Sequence, residues 1–218
     1  SAPKSLMDRI QLLLWSGLLV LAASGQAVSF KSVGYPMQPY PYFILLFVGW
    51  AFVPILFGLV GAIHFFGGGF EPEQTTPEFK IKFAVIGAFN AANGVLVIFA
   101  NPYVSGVLQT MLLQAAIPIT MGLSAVCLKS RYNFMHGIGV VLILGGILIS
   151  LEPDFKNGDS IAGNSKLKWV IVFLFSQVPQ ALLCVYQESA FRDCKGSVHV
   201  VYMMAWSSLA QAICLVLC

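Results

Sequence analysis

From Tyr42 to Phe66 the chain runs 25 residues without an aspartate, glutamate, lysine or arginine. A helix needs about 20 apolar residues to cross the hydrocarbon core of a bilayer. No water-soluble core of ordinary size holds such a run, so this stretch alone predicts a membrane span. Six further apolar stretches follow the same rule. They lie at about Ile10–Phe30, Phe83–Ala100, Val104–Cys127, Phe134–Leu151, Leu167–Phe191 and Ser197–Cys218. Alternating strand periodicity is absent, which argues against an outer-membrane barrel. The expected fold class is all-α: a polytopic transmembrane helical bundle of about seven spans.

Composition closes off the other classes. The 218 residues are 58% hydrophobic and 10% charged. Soluble domains carry about 45–50% apolar and about 25% charged residues. A soluble globule, a disordered chain and a disulfide scaffold are thereby excluded. Twelve Lys+Arg against nine Asp+Glu give a net charge of +3 without a basic run, so nucleic acid is not an expected partner. The five cysteines form no CxxC pair and read as small buried hydrophobes. His64, His136 and His199 lack metal-ligand spacing, and neither a metal nor a cofactor is expected.

Basic loops set the orientation. With a cytoplasmic N-terminus, eight basic residues fall on that side: Lys4, Arg9, Lys80, Lys82, Lys129, Arg131, Arg192 and Lys195. Four fall opposite: Lys31, Lys156, Lys166 and Lys168. The positive-inside rule therefore places the N-terminus inside. Lys4 and Arg9 before the first stretch, with the small residues Ala22 to Gly25 after it, also fit a signal peptide. Removing that stretch would leave the same later loops cytoplasmic. The segment Phe70–Lys82 reads as a solvated loop, as does Glu152–Lys166 with its Asn157-Gly158 and Gly163-Asn164 turn signals.

One motif occurs twice. The first stretch ends Gln26-Ala-Val-Ser-Phe30-Lys31 and the sixth ends Gln187-Glu-Ser-Ala-Phe191-Arg192. Five spans separate them, so the second copy enters the membrane the opposite way. That is the pattern of inverted-topology repeats in secondary transporters. It predicts a first five-helix repeat over 10–151 and the first two helices of a second over 167–218. The seventh stretch reaches the last residue, so the chain reads as truncated.

Polar residues inside apolar stretches are the candidate substrate contacts, because they are costly at membrane depth unless paired or wetted. The third stretch carries Asn90 and Asn93, three apart on one helical face. The fourth carries Gln109 and Gln114 near Pro118, and the sixth Gln177 and Gln180 around Pro179. Gln26 closes the first. A proline break at Pro118 or Pro179 frees backbone carbonyls that can line a substrate path; interhelical hydrogen bonding is the other reading of these amides. Pro54 is expected to kink the second stretch, and Gly146 with Ser150 to permit close helix packing in the fifth. Glu188 is the acid inside the sixth stretch. It either reaches the interface or couples a proton.

The run Gly106-Val-Leu-Gln109-Thr-Met-Leu-Leu-Gln114-Ala-Ala-Ile-Pro118-Ile, the Arg131-Tyr132 turn and the glycine-rich stretch after it resemble the chloroquine-resistance transporter-like family. Tyr40-Pro-Tyr-Phe43 and Lys195-Gly-Ser-Val198 are similar to that family's entries to its second and seventh helices. The family belongs to the drug/metabolite transporter superfamily. The resemblance implies ten helices in two inverted repeats, in a vacuolar or lysosomal membrane or a plastid envelope. It implies a carrier for small polar organic solutes: amino acids, peptides, glutathione-like thiols or cationic drugs. It also implies a carboxylate at the place of Asn90, where an amide cannot exchange a proton. The expected partners are that solute and the lipid bilayer. Alternatives are a sugar-phosphate or nucleotide-sugar carrier of the same superfamily, or a membrane-embedded enzyme. The enzyme reading lacks the clustered His, Asp or Glu that such chemistry needs.

Overall fold

The computed structural model describes residues 6–34, 36–37, 39–66, 76–128, 132–156, 161–193 and 199–217. These form eight helices, in two units divided after Pro39. Seven helical segments are long and apolar enough to cross a membrane, in agreement with the seven stretches.

The first unit holds α1, Leu6–Gly34. Its 29 residues extend about 44 Å at 1.5 Å per residue, more than a bilayer core requires. Side chains from Ile10 to Ser29 are exposed. Ser16 Oγ donates to the Leu13 carbonyl at 2.9 Å, which satisfies its hydroxyl within the helix.

The second unit holds α2 (Pro41–Phe65), α3 (Pro77–Ala100), α4 (Gly106–Leu113), α5 (Ala116–Cys127), α6 (Phe134–Lys156), α7 (Ile161–Asp193) and α8 (Val200–Leu217). Within it, α3 packs against α7, α8 and α2, and α7 packs against α3, α4, α5 and α6. Side-chain pairs give the directions. Phe83 meets Tyr202 and Asn90 meets Gln211, so α3 and α8 are parallel. Phe89 meets Tyr186 and Asn93 meets Gln180, so α3 and α7 are antiparallel. The Tyr42 hydroxyl donates to the Leu215 carbonyl and Phe57 meets Trp206, so α2 opposes α8. A chain that crosses at α3, at α4 with α5, at α6 and at α7 must begin α8 where α3 began. The parallel pair thus requires the broken α4–α5 segment to cross once.

Two apolar clusters cap this arrangement. One joins Phe83 and Ile86 of α3 to Tyr202 and Met203 of α8, with Leu183 and Tyr186 of α7 against it. The other joins Ala100, Val104, Leu108, Leu112 and Ala115 to Ile147 and Leu151 of α6 and to Val170 and Phe173 of α7. They lie at opposite ends of α3. Tyr103 stacks on Trp169 at 4.5 Å beside the second cluster.

Four expectations about helix ends and packing change, and Cys127 and Cys184, read as buried, are exposed. First, Glu78, Lys80 and Lys82 are not in a loop; they occupy the first turns of α3. Thr76 in extended backbone and Pro77 at the first helical position start the helix there, and Glu78 complements its positive end. The cations lie over aromatic faces, Lys80 Nζ 4.9 Å from the Trp206 ring and Lys82 Nζ 5.0 Å from the Phe79 ring. Second, the fourth span breaks at Gln114–Ala115, before Pro118 rather than at it. A proline ring clashes with the carbonyl four residues back, here that of Gln114. The bonds tighten to three-residue spacing, Gln114 N to Met111 O, Ala115 N to Leu112 O and Ile117 N to Gln114 O. Third, Glu152–Lys166 is not one long loop: α6 runs to Lys156 and α7 starts at Ile161, which places Gly163-Asn164 inside a helix. Asn157-Gly158 lies outside the described residues.

Fourth, close packing falls at a different glycine. A Cβ on Gly145 or Gly146 of α6 would meet nothing within 4 Å. A Cβ on Gly87 of α3 would lie 2.3 Å from the Ser207 carbonyl oxygen and 2.8 Å from Ala210 Cβ. Gly87 and Ala91, four apart and both buried, form the small-residue stripe that admits the α8 backbone.

Two outcomes follow. Gly87→Ala should push α3 from α8 and cost about 1–3 kcal/mol, the range for overpacking a filled core; Gly145→Ala should stay within about 1 kcal/mol of wild type. Thermal unfolding of the detergent-purified variants measures both, and equal midpoints would remove the role given to Gly87. In a background without native cysteines, Thr76→Cys and Tyr132→Cys should react with an impermeant thiol reagent from one side of the membrane, and Tyr103→Cys from the other. Labelling of all three from one side would break the crossing order.

Candidate functional site

Between the two apolar clusters lies a layer of amides. Asn90 Nδ2 on α3 donates to Gln211 Oε1 on α8 at 2.7 Å. One turn further, Asn93 Nδ2 donates to Gln180 Oε1 on α7 at 2.9 Å. Asn90 falls in the middle third of α3 and Asn93 just past it, with about two turns of apolar helix still to follow. The three-residue spacing aims them at neighbouring helices, so one face of α3 is tied to two partners. Each bond uses one hydrogen and one lone pair; a carboxamide offers two of each on separate atoms, so capacity for a ligand remains.

The layer also holds acceptors that no protein group satisfies. Asn93 Oδ1 is buried without a protein partner, and so is Gln177 Oε1. Gln177 is 1% exposed. Its Nε2 donates to the Phe173 carbonyl at 3.3 Å and to Ser176 Oγ at 3.0 Å, while Ser176 Oγ donates to the Phe173 carbonyl at 2.6 Å. An unpaired buried acceptor costs about 1–3 kcal/mol. Pro179 sits between Gln177 and Gln180 and has no N–H to give the Phe175 carbonyl, which adds a third acceptor to this stretch of α7. The layer therefore combines satisfied amide pairs with spare acceptors, and carries no formal charge.

The remaining sequence candidates lie elsewhere. Gln109 Nε2 reaches back to Asn101 O at 3.0 Å, Asn101 Oδ1 at 2.8 Å and Val104 O at 3.1 Å, and so closes the turn between α3 and α4. Ser105 caps α4, its Oγ accepting from Leu108 N at 3.4 Å. Gln114 is exposed at the α4–α5 break. Gln26 is exposed on α1 in the first unit. Glu188 accepts from Arg192 Nη2 at 2.6 Å in an exposed pair one turn apart near the end of α7. Gln187, of the repeated motif, donates Nε2 toward Met203 Sδ at 3.7 Å. Gln211 joins the layer without having been singled out from the sequence. A lone amide within an apolar stretch is the same signal that marks Asn90, and it is present in the seventh stretch too. Among the described residues no group of three His, Cys, Asp or Glu converges as a metal site.

The profile of the chloroquine-resistance transporter-like (CRT-like) family matches residues 12–218. The chain is 34% identical over 206 residues to Crt homolog 1 of Dictyostelium discoideum, covering 94% of this chain and 43% of that protein. It is 28% identical over 202 residues to the chloroquine resistance transporter of Toxoplasma gondii, covering 93% of this chain and 22% of that one. It is 21% identical over 212 residues to Protein CLT3, chloroplastic, of Arabidopsis thaliana, covering 95% and 46%. The chain thus spans less than half the length of these curated relatives. It belongs to the CRT-like family, a family of multi-pass membrane transporters and not of enzymes.

The amide pairs predict a measurable coupling. A double-mutant cycle of Asn93→Ala and Gln180→Ala, read by unfolding in detergent, should return about 0.6 kcal/mol, the average for membrane interhelical hydrogen bonds, and at most about 1.7 kcal/mol. Strict additivity of the two substitutions would show that the pair does not act together.

Proposed function

We propose that this chain forms the first five-helix repeat (10–151) and the opening two helices (167–218) of a secondary carrier that works by alternating access. Its cargo is a small polar organic solute: an amino acid, a peptide, a glutathione-like thiol or a cationic drug. The observation that carries this reading is the uncharged amide layer at the meeting of α3, α7 and α8, with two buried acceptors left open on Asn93 and Gln177. Amides donate and accept together, which suits a solute bearing both an ammonium and a carboxylate. Binding without a fixed counter-charge avoids a large desolvation cost, and a modest affinity lets cargo leave on the far side.

The proposed contacts are Asn90, Asn93, Gln177, Gln180 and Gln211 of the layer. Gln109 contributes through the turn it closes. Glu188, in its exposed pair with Arg192, is the candidate carboxylate for proton coupling, reaching the interface being the other reading. The antiparallel packing of α2 on α8, the second span on the seventh, supports an inverted repeat, since a twofold axis in the membrane plane opposes equivalent helices. The chloroplastic relative from Arabidopsis thaliana supports an organelle location, vacuolar or lysosomal or plastid. A sugar-phosphate carrier would need paired lysine or arginine to hold phosphate. The layer offers amides instead, which favours the first reading.

Uptake by the whole protein in proteoliposomes tests this. Asn90→Ala, Gln180→Ala and Gln109→Ala are compared at equal folded protein. At least one of the first two should raise the apparent KM about tenfold, the effect of losing about 1.4 kcal/mol of binding; Gln109→Ala should lower the amount of folded protein more than the affinity. Wild-type uptake in all three would make these amides packing bonds only.

A further inference from the structure

Beyond solute binding, we propose that α7 bends at Pro179 and that the unpaired Gln177 oxygen biases this hinge toward the open state of the carrier. The inference rests on the carrier reading of the amide layer and adds how that layer opens. Pro179 lies inside α7 and has no N–H for the Phe175 carbonyl, so one helical bond is missing where the helix can flex. The halves on either side are held by different partners. Val170 and Phe173 of the first half pack with Ala100 at the end of α3 and with Ile147 and Leu151 of α6. Leu183 and Tyr186 of the second half pack with Phe83 of α3 and Tyr202 of α8. Asn93 adds its bond to Gln180, also on the second half. Each half can therefore move with its own cluster.

Gln177 supplies the bias. It lies two residues before the proline and is 1% exposed. Its Oε1 and Asn93 Oδ1 are buried without a protein partner. An acceptor without a donor raises the free energy of the state that buries it, and of that state alone. A bend that parts the first half of α7 from α3 lets water or the N–H groups of the cargo reach these oxygens. The packed state thus carries a cost that the open state sheds. The other end of the amide is dispensable here. Nε2 donates to the Phe173 carbonyl, which Ser176 Oγ also serves at 2.6 Å. Gln177→Met therefore removes the unpaired oxygen at similar volume and leaves that carbonyl bonded.

Double electron–electron resonance on the whole protein in lipid nanodiscs, without cargo, tests the hinge. In a background without native cysteines, spin labels are placed at Lys168→Cys on the first half of α7 and Val216→Cys on α8. A bend of about 20° at Pro179 swings residue 168, about 16 Å away along the helix, by about 6 Å. Wild type should show two distance populations. Gln177→Met should enrich the one that matches this structure about tenfold, toward the lower end of what one unpaired buried acceptor costs. Gln177→Leu should enrich the same population. Pro179→Ala, which restores the Phe175 bond, should leave a single population, and Leu148→Ala on the exposed face of α6 should change nothing. One population in wild type, two retained in Pro179→Ala, or an unchanged ratio in both Gln177 variants at equal folded fraction would overturn the proposal. No cargo enters this measurement, so wild-type uptake by the amide variants, which would sink the binding role, leaves the hinge to be decided by the distances.

Discussion

An amide at membrane depth that its own helix or turn does not satisfy must find its hydrogen-bond partner on another helix, because the lipid offers none. That requirement places α3 where it is. Asn90 turns to α8 and Asn93 to α7, and a single face of one helix is held on both sides. The bonds act only over short distances, so the backbones must come close. Gly87 and Ala91 make this possible on the α8 side, where any larger residue at 87 would collide with the Ser207 carbonyl. The amides specify which helices meet, and the missing side chain lets them meet. The apolar clusters above and below contribute bulk packing without the same selectivity.

The proposed transport role places opposing demands on the same layer. A transporter needs polar groups midway through the bilayer, yet each such group threatens the bundle that carries it. Here part of the hydrogen-bonding capacity is spent on helix pairing and part is left open, at Asn93 Oδ1 and Gln177 Oε1. Gln177 is held rigidly by Ser176 and Phe173, so its free oxygen keeps a fixed direction. The proline that follows removes a backbone donor from the same turn.

Spans were legible because their signal is long and one-dimensional: a run such as Tyr42–Phe66 has no competing fold. Start points were less so. Glu78, Lys80 and Lys82 look like loop residues by charge; Pro77 and the helix dipole place Glu78 in a helix, and the aromatic faces of Trp206 and Phe79 hold the two lysines there. Asn90, Asn93, Gln177 and Gln180 were visible as misplaced polar residues, and the structure brings them into one layer. Which amide pairs with which was not legible, since partners lie 87 and 121 residues apart. Gln109 illustrates the limit: its neighbours in sequence, Asn101 and Val104, absorb its donors, an outcome set by the turn and not by the stretch. The glycines of α6 were the obvious packing stripe by number, but what decides packing is the neighbour, and the close neighbour belongs to Gly87.

The sequence distance between Asn90 and Gln211 also has a meaning in time. Translation proceeds at about 5–20 residues per second, so the 121 residues between them take roughly 6–24 s to emerge. Throughout that interval α3 is already made while α8 does not yet exist. Asn90, which ends up matched to Gln211 on a neighbouring helix, begins life without that partner, among lipids, insertion factors or the helices made before it. Biogenesis of this protein therefore includes a waiting period, and whatever shelters a half-made helix during it is as necessary to the finished bundle as the bonds that later replace it.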